Sequence, residues 1–138
     1  MAINDIVNSL VTKLREAGAA QHVEAYWRTD PPTGLTVYVQ PQSEGAEQAL
    51  SMSDFDIPAT VSVIIETPWK SPETEGPKLI GAVEVLKQVI ANNRCLLESH
   101  VTMFGGVNYM FAQRPGRTTP CMIADCTVQF IIPQRGGR

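Results

Sequence analysis

No stretch of the 138-residue sequence approaches the run of about 20 apolar residues that crosses a bilayer as a helix. Cysteine is scarce and odd in number. Cys95, Cys121 and Cys126 cannot form a full disulfide framework, and they read as reduced thiols of a protein made in the cytosol. The start, Met1-Ala2-Ile3-Asn4-Asp5, lacks the basic residues and apolar run of a signal peptide, and no Asn-x-Ser/Thr acceptor occurs. The expectation is a soluble protein made inside a cell. Charge is also sparse, at 18% of residues, too little for a disordered polyelectrolyte. The formal net charge of −3 argues against a sequence-independent nucleic-acid binder, which needs a clustered basic surface.

What is present is enough for one domain with a genuine core. At this length roughly two-thirds of the unfolded chain's surface is buried on folding. The charge is unevenly spread: residues 1–93 hold twelve of the fourteen acids and six of the eleven bases, which leaves residues 94–138 net basic. Seven of those acids (Glu44, Glu47, Asp54, Asp56, Glu66, Glu73 and Glu75) fall within 41–77, against the single base Lys70.

Periodicity sets the elements. Ile3, Ile6, Val7, Leu10, Val11 and Leu14 repeat every three or four residues, which predicts an amphipathic helix stopped at Gly18. A short strand over 23–27 precedes the turn signal Asp30-Pro31-Pro32-Thr33-Gly34, and 35–39 alternate as a clearer strand. Residues 40–58 read as a long polar, acidic connection, and 59–67 as a strong strand. A second loop with three prolines over 68–77 leads into a helix over 78–92, with Pro77 in its first turn and Asn92-Asn93 as a left-handed stop. The remainder is β: a hairpin turning at Gly105-Gly106, a basic connection over 113–120 and a last strand over 122–132. The fold expected is α+β, with two amphipathic helices packed on a mostly antiparallel sheet and long polar loops. It forms one domain over 1–133, followed by a flexible tail over 134–138.

Residues with chemistry to offer do not assemble into a recognisable site. Cys95-x4-His100 and Cys121-x4-Cys126 are spaced too widely for a zinc knuckle, and an odd separation along one strand sends two side chains to opposite faces. There is no Gly-x-Ser-x-Gly elbow, and His22 and His100 have no triad context. Asp54 and Asp56 lack a calcium-loop pattern, and Gly105-Gly106 lacks the strand-to-helix setting of a phosphate loop. No catalytic residue, cofactor site or metal site is expected. Phe55 and Trp69 stand out as large rings in polar loops, where a ring anchors a partner or folds back on the core. Long charged loops on a small scaffold suit an interaction protein.

The element order resembles the tail terminator proteins of lambda-like long-tailed bacteriophages. The resemblance lies in the first helix over 3–14, the strand opened by Ile57-Pro58-Ala59-Thr60-Val61-Ser62-Val63, and the helix over 79–92. It continues in Gly105-Gly106-Val107-Asn108-Tyr109 and in the ending Ala124-Asp125-Cys126-Thr127-Val128-Gln129-Phe130-Ile131-Ile132. It implies a structural virion protein, made in the host cytoplasm, that forms a ring, typically a hexamer. Such a ring caps the head-proximal end of the tail tube, stops tube polymerisation and docks head-completion proteins. Another neck, connector or tail-completion ring protein is the alternative, ahead of a small enzyme or metal-binding module. The partners implied are further copies of the chain, the tail tube protein and a neck protein, with no membrane and no sequence-specific nucleic acid. A ring needs two different patches on each subunit. Glu44, Glu47, Asp54 and Asp56 are expected on one side and Arg114 and Arg117 on the other, with Phe55 and Trp69 as apolar anchors.

Overall fold

The structure, a computed structural model, describes residues 2–28, 30, 32–68, 72–97, 99–112 and 120–135. Helix α1 (Ile3–Glu16) buries the stripe Ile6, Val7, Leu10, Val11 and Leu14. Its first turn is closed by the Asp5 carboxylate, which accepts the Ala2 N–H at 3.0 Å. Gly18 ends it in the left-handed region at φ 65°, where a side chain would be strained. The Ala19 N–H reaches back to the Leu14 carbonyl and the Gly18 N–H to that of Arg15, a Schellman closure in which buried Ala19 sits next to Leu14.

The strands are β1 (His22–Ala25), β2 (Thr36–Glu44), β3 (Gln48–Ala49), β4 (Asp54–Pro68), β5 (Cys95–Leu96), β6 (Ser99–Ala112) and β7 (Cys121–Arg135). They form one sheet in the order β1-β2-β4-β7-β6-β5, with β3 continuing the β2 lane against the start of β4. Among the described residues only β1 and β2 run parallel; the other pairs are antiparallel. The sheet is built around β4 and β7, 15 residues each, paired without interruption from Asp54 opposite Arg135 to Pro68 opposite Cys121, a span of roughly 50 Å.

Helix α2 (Pro72–Asn92) lies over β4 and β7, and α1 lies over β1 and β2 on the same face. The sheet residues that point at them alternate along each strand: Val37 and Val39; Ala59, Val61, Val63 and Ile65; Ala124, Cys126, Val128, Phe130 and Ile132. With Leu79, Val83, Leu86 and Ile90 of α2 they make the main core. Arg15 fastens α1 to the sheet edge by donating to the Val23 carbonyl at 2.8 Å. The α+β class read from periodicity is the observed one.

Long-range pairing changes several local expectations. Residues 40–58 are not an irregular connection: β2 runs on to Glu44, β3 pairs with β4, and β4 begins at Asp54. Two prolines hid this, yet each lacks only a donor. The Pro58 carbonyl still accepts the Gly45 N–H at 2.7 Å, and the pairing irregularity after Pro41 absorbs the change of register. Gly105-Gly106 is not a hairpin turn. Strand β6 runs straight through it with a register shift between Phe104 and Val107, and neither glycine has the positive φ that a tight hairpin turn requires. Helix α2 starts at Pro72, not after Pro77. Pro72 takes the first helical position with Glu73 and Glu75 in the first turn, so Pro77 lies inside the helix. Asn93 closes that helix through its side chain, which donates to the Val89 carbonyl at 2.9 Å, and not through a left-handed backbone. The expected tail over 134–138 is shortened, because Gln134 and Arg135 pair with Phe55 and Asp54.

The sheet face away from the helices has its own smaller cluster. Trp27, in the connection that the parallel β1–β2 pair requires, packs on Tyr38, Ile64, Cys121 and Ile123. Its indole N–H donates to Oε1 of Glu66 at 2.7 Å, while Glu66 is fully buried between Thr36 and Ile123 in neighbouring strands. Trp27 follows Tyr26, which is held at φ 67° by its hydroxyl donating to Asn4 and by its N–H on the Val39 carbonyl at 2.9 Å.

Candidate functional site

The groups suited to catalysis or metal binding stay apart. Cys95 and His100 come from neighbouring strands and stand directly opposite each other, because the tight β5–β6 connection folds them together. They therefore share a face, contrary to the one-strand geometry expected from their spacing. Cys121 and Cys126 lie on one strand and face opposite sides of the sheet, as that geometry requires; both are buried. Burial first, and then the neighbouring Asp125 carboxylate, push the Cys126 thiol up to about 12, although Lys87 acts in the other direction. Such a thiol is inert at neutral pH. Among the described residues no three His, Cys, Asp or Glu side chains gather as a metal would need.

The expected interface residues separate into those placed and those not. Trp69, Arg114 and Arg117 lie outside the described residues. Glu44 is the exposed last residue of β2, and Glu47 is exposed before β3. Asp54, Phe55 and Asp56 open β4, half-buried and not on a loop. Asp54 and Asp56 share one face of the strand and Phe55 takes the other. Asp54 stands opposite Arg135 in the β4–β7 register.

Two groups of exposed apolar side chains were not expected. One is a groove of about 320 Å³ between the first half of α2 and the end of β6, lined by Gly76, Leu79, Ile80, Tyr109, Met110, Phe111 and Met122. Ile80, Tyr109 and Phe111 are each about half exposed, at 51%, 51% and 52%. This end of β6 pairs with β7 on one side, while its other side faces no strand among the described residues; β5 pairs only with Ser99 and His100. The other group is the hairpin tip between β3 and β4. There the Leu50 and Ser51 N–H groups both reach the Asp54 carbonyl, and the Ser51 hydroxyl accepts the Asp54 N–H at 3.2 Å. This turn holds Leu50 60% exposed and Met52 wholly exposed.

Signals for both were in the sequence but were ambiguous. Ile80 sits one residue off the buried stripe formed by Leu79, Val83, Leu86 and Ile90, so it cannot face the sheet with them. Tyr109-Met110-Phe111 breaks the apolar–polar alternation, and a strand can point only alternate residues at one core. Leu50 and Met52 flank a polar turn with no periodicity to mark them.

Among the described residues no helix is long and apolar enough to cross a membrane. No protein-family model matches the chain, and no curated protein matches it in sequence.

Proposed function

We propose that this protein is a structural subunit that joins copies of itself into a ring, typically of six, at the head-proximal end of a phage tail tube. There it ends tube polymerisation and offers a docking surface to head-completion proteins. It is made in the host cytoplasm, ends in the virion neck and performs no catalytic step.

One observation supports the reading: the apolar groove between α2 and the end of β6. Ile80, Tyr109 and Phe111 expose roughly 300 Å² of apolar surface, a patch of the size that is often functional on a small chain. Beside it, the edge of β6 away from β7 faces no strand among the described residues, a geometry that favours association with another chain. The resemblance in element order to tail terminators supplies the kind of assembly.

The test is native mass spectrometry of the full chain with and without purified tail tubes, together with electron microscopy of tube length. The expected result is a closed ring of fixed copy number bound at one tube end, with tubes that stop growing. A chain that stays monomeric with tube ends present and leaves tube growth unchanged refutes the proposal.

A further inference from the structure

Among chelating side chains that otherwise stay apart, Cys95 and His100 are the exception. Strand β5 is the last in the sheet order, and Leu96 faces Ser99 across a connection of two residues. Leu97, at φ 56°, supplies the left-handed bend that so short a connection requires. Pairs in such a hairpin alternate. Arg94 and Val101 take a hydrogen-bonded position, where the Val101 N–H donates to the Arg94 carbonyl at 2.7 Å. Cys95 and His100, one step nearer the turn, therefore form a non-hydrogen-bonded pair, in which facing side chains come closest. Leu96 and Val101 turn into the main core, so Cys95 and His100 point to the opposite face of the sheet. Both are exposed, and neither side chain has a hydrogen bond or ion pair among the described residues.

We propose that Cys95 and His100 together chelate one borderline-soft divalent metal ion, of which zinc is the type. Distance and donor chemistry lead to this. A tetrahedral zinc ion holds sulfur at about 2.3 Å and imidazole nitrogen at about 2.0–2.1 Å, which sets the two donors roughly 3.5 Å apart. Facing Cβ atoms on paired strands stand about 4.5–5.5 Å apart, so side chains turned toward each other bring sulfur and nitrogen within that reach. Thiolate and imidazole favour ions of the zinc class, whereas magnesium and calcium take oxygen donors. On binding, the Cys95 thiol releases its proton to the buffer and a sulfur lone pair takes the ion. The neutral His100 ring gives the lone pair of its unprotonated nitrogen.

The site is open. Among the described residues no third His, Cys, Asp or Glu joins the pair, so water fills the remaining positions. An ion held this way exchanges readily, unlike one in a closed four-ligand structural site. Cys121 and Cys126 do not compete for it, because both are buried and they face opposite sides of the sheet. The site needs one chain only and is independent of ring formation.

The experiment is a titration of the full chain with cobalt(II) in a non-thiol reductant, followed by absorption. The expected result is a sulfur-to-cobalt charge-transfer band in the near ultraviolet that saturates at one ion per chain. Zinc should displace the cobalt and abolish the band, and magnesium should leave it. Cys95→Ser should remove the band. His100→Ala should weaken cobalt binding by about tenfold or more, since partners outside the ligand shell alone are worth that much. Both positions are exposed, so folding should be kept, and a thermal melt matching the parent checks this. Zinc should also slow the reaction of Cys95 with a chromogenic disulfide in the parent and not in His100→Ala. Absence of the band in excess cobalt, a band that survives Cys95→Ser, or equal affinity in the parent and His100→Ala overturns the chelate. Saturation at one ion per two chains overturns it too, because the ligands would then come from different copies.

Discussion

Alanine at Gly105 probes the β6 bulge directly. A Cβ built there stands 2.1 Å from the Thr127 hydroxyl oxygen, 3.2 Å from the Thr127 carbonyl oxygen and 3.4 Å from its Cβ. The last two contacts are tight but tolerable; the first is not. Thr127 must rotate, and a β-branched side chain in a strand has few other rotamers, each of which brings a methyl group or a strained torsion. Overpacking of this kind costs about 1–3 kcal/mol. Thr127→Ala removes the blocking oxygen, and Thr127 is only half-buried, so that change alone should cost less than about 1 kcal/mol. The two substitutions should therefore not add. Gly105→Ala should cost about 1–3 kcal/mol in the parent and under about 1 kcal/mol in the Thr127→Ala background. Urea unfolding of the four chains measures this, with similar m-values as the sign that only stability has changed. If Gly105→Ala costs the same in both backgrounds to within about 0.5 kcal/mol, Thr127 is not what Gly105 faces. The penalty would then come from backbone conformation, as in a tight turn, and the bulge assignment would be wrong.

Three further predictions concern the Trp27–Glu66 bond and the cysteines. Trp27→Phe keeps the ring but removes the indole N–H that Glu66 accepts at 2.7 Å; urea unfolding should show a loss of about 1–3 kcal/mol, and a loss below 0.5 kcal/mol would mean the bond contributes nothing net. In the native protein at pH 8, a chromogenic disulfide reagent should titrate one thiol, the exposed Cys95, and three after denaturation. The Cys126 thiol, pushed up to about 12, holds its proton in the folded chain while the unfolded thiol loses its own near 9. Stability should accordingly fall as pH rises from 9 toward 12, by as much as ~1.4 kcal/mol per pH unit from this group, and Cys126→Ala should flatten that part of the profile.

Local periodicity was enough for the elements whose pattern is self-contained. The stripe from Ile6 to Leu14 and the alternation from Val61 to Ile65 each place their residues toward one core without reference to the rest of the chain. Gly18 could be read as a stop because a left-handed residue is a local requirement. The order of periodic elements likewise argued for an α+β chain, and among the described residues no helix is long and apolar enough to cross a membrane. Tertiary structure decided what depends on partners distant in sequence. Asp54–Ile57 are strand because Ile132–Arg135 supply backbone to pair with, and that pairing also turned the first two residues of an expected tail into sheet. Gly105 is a bulge because Thr127 stands against it, which no window around Gly105 contains. The candidate site has the same origin. Tyr109 and Phe111 have the sequence of core residues, and they are exposed because α2 lies over β4 and β7 and reaches only the margin of β6. Hydrophobic pattern states which side chains favour burial; only the number and position of covering elements states which remain uncovered.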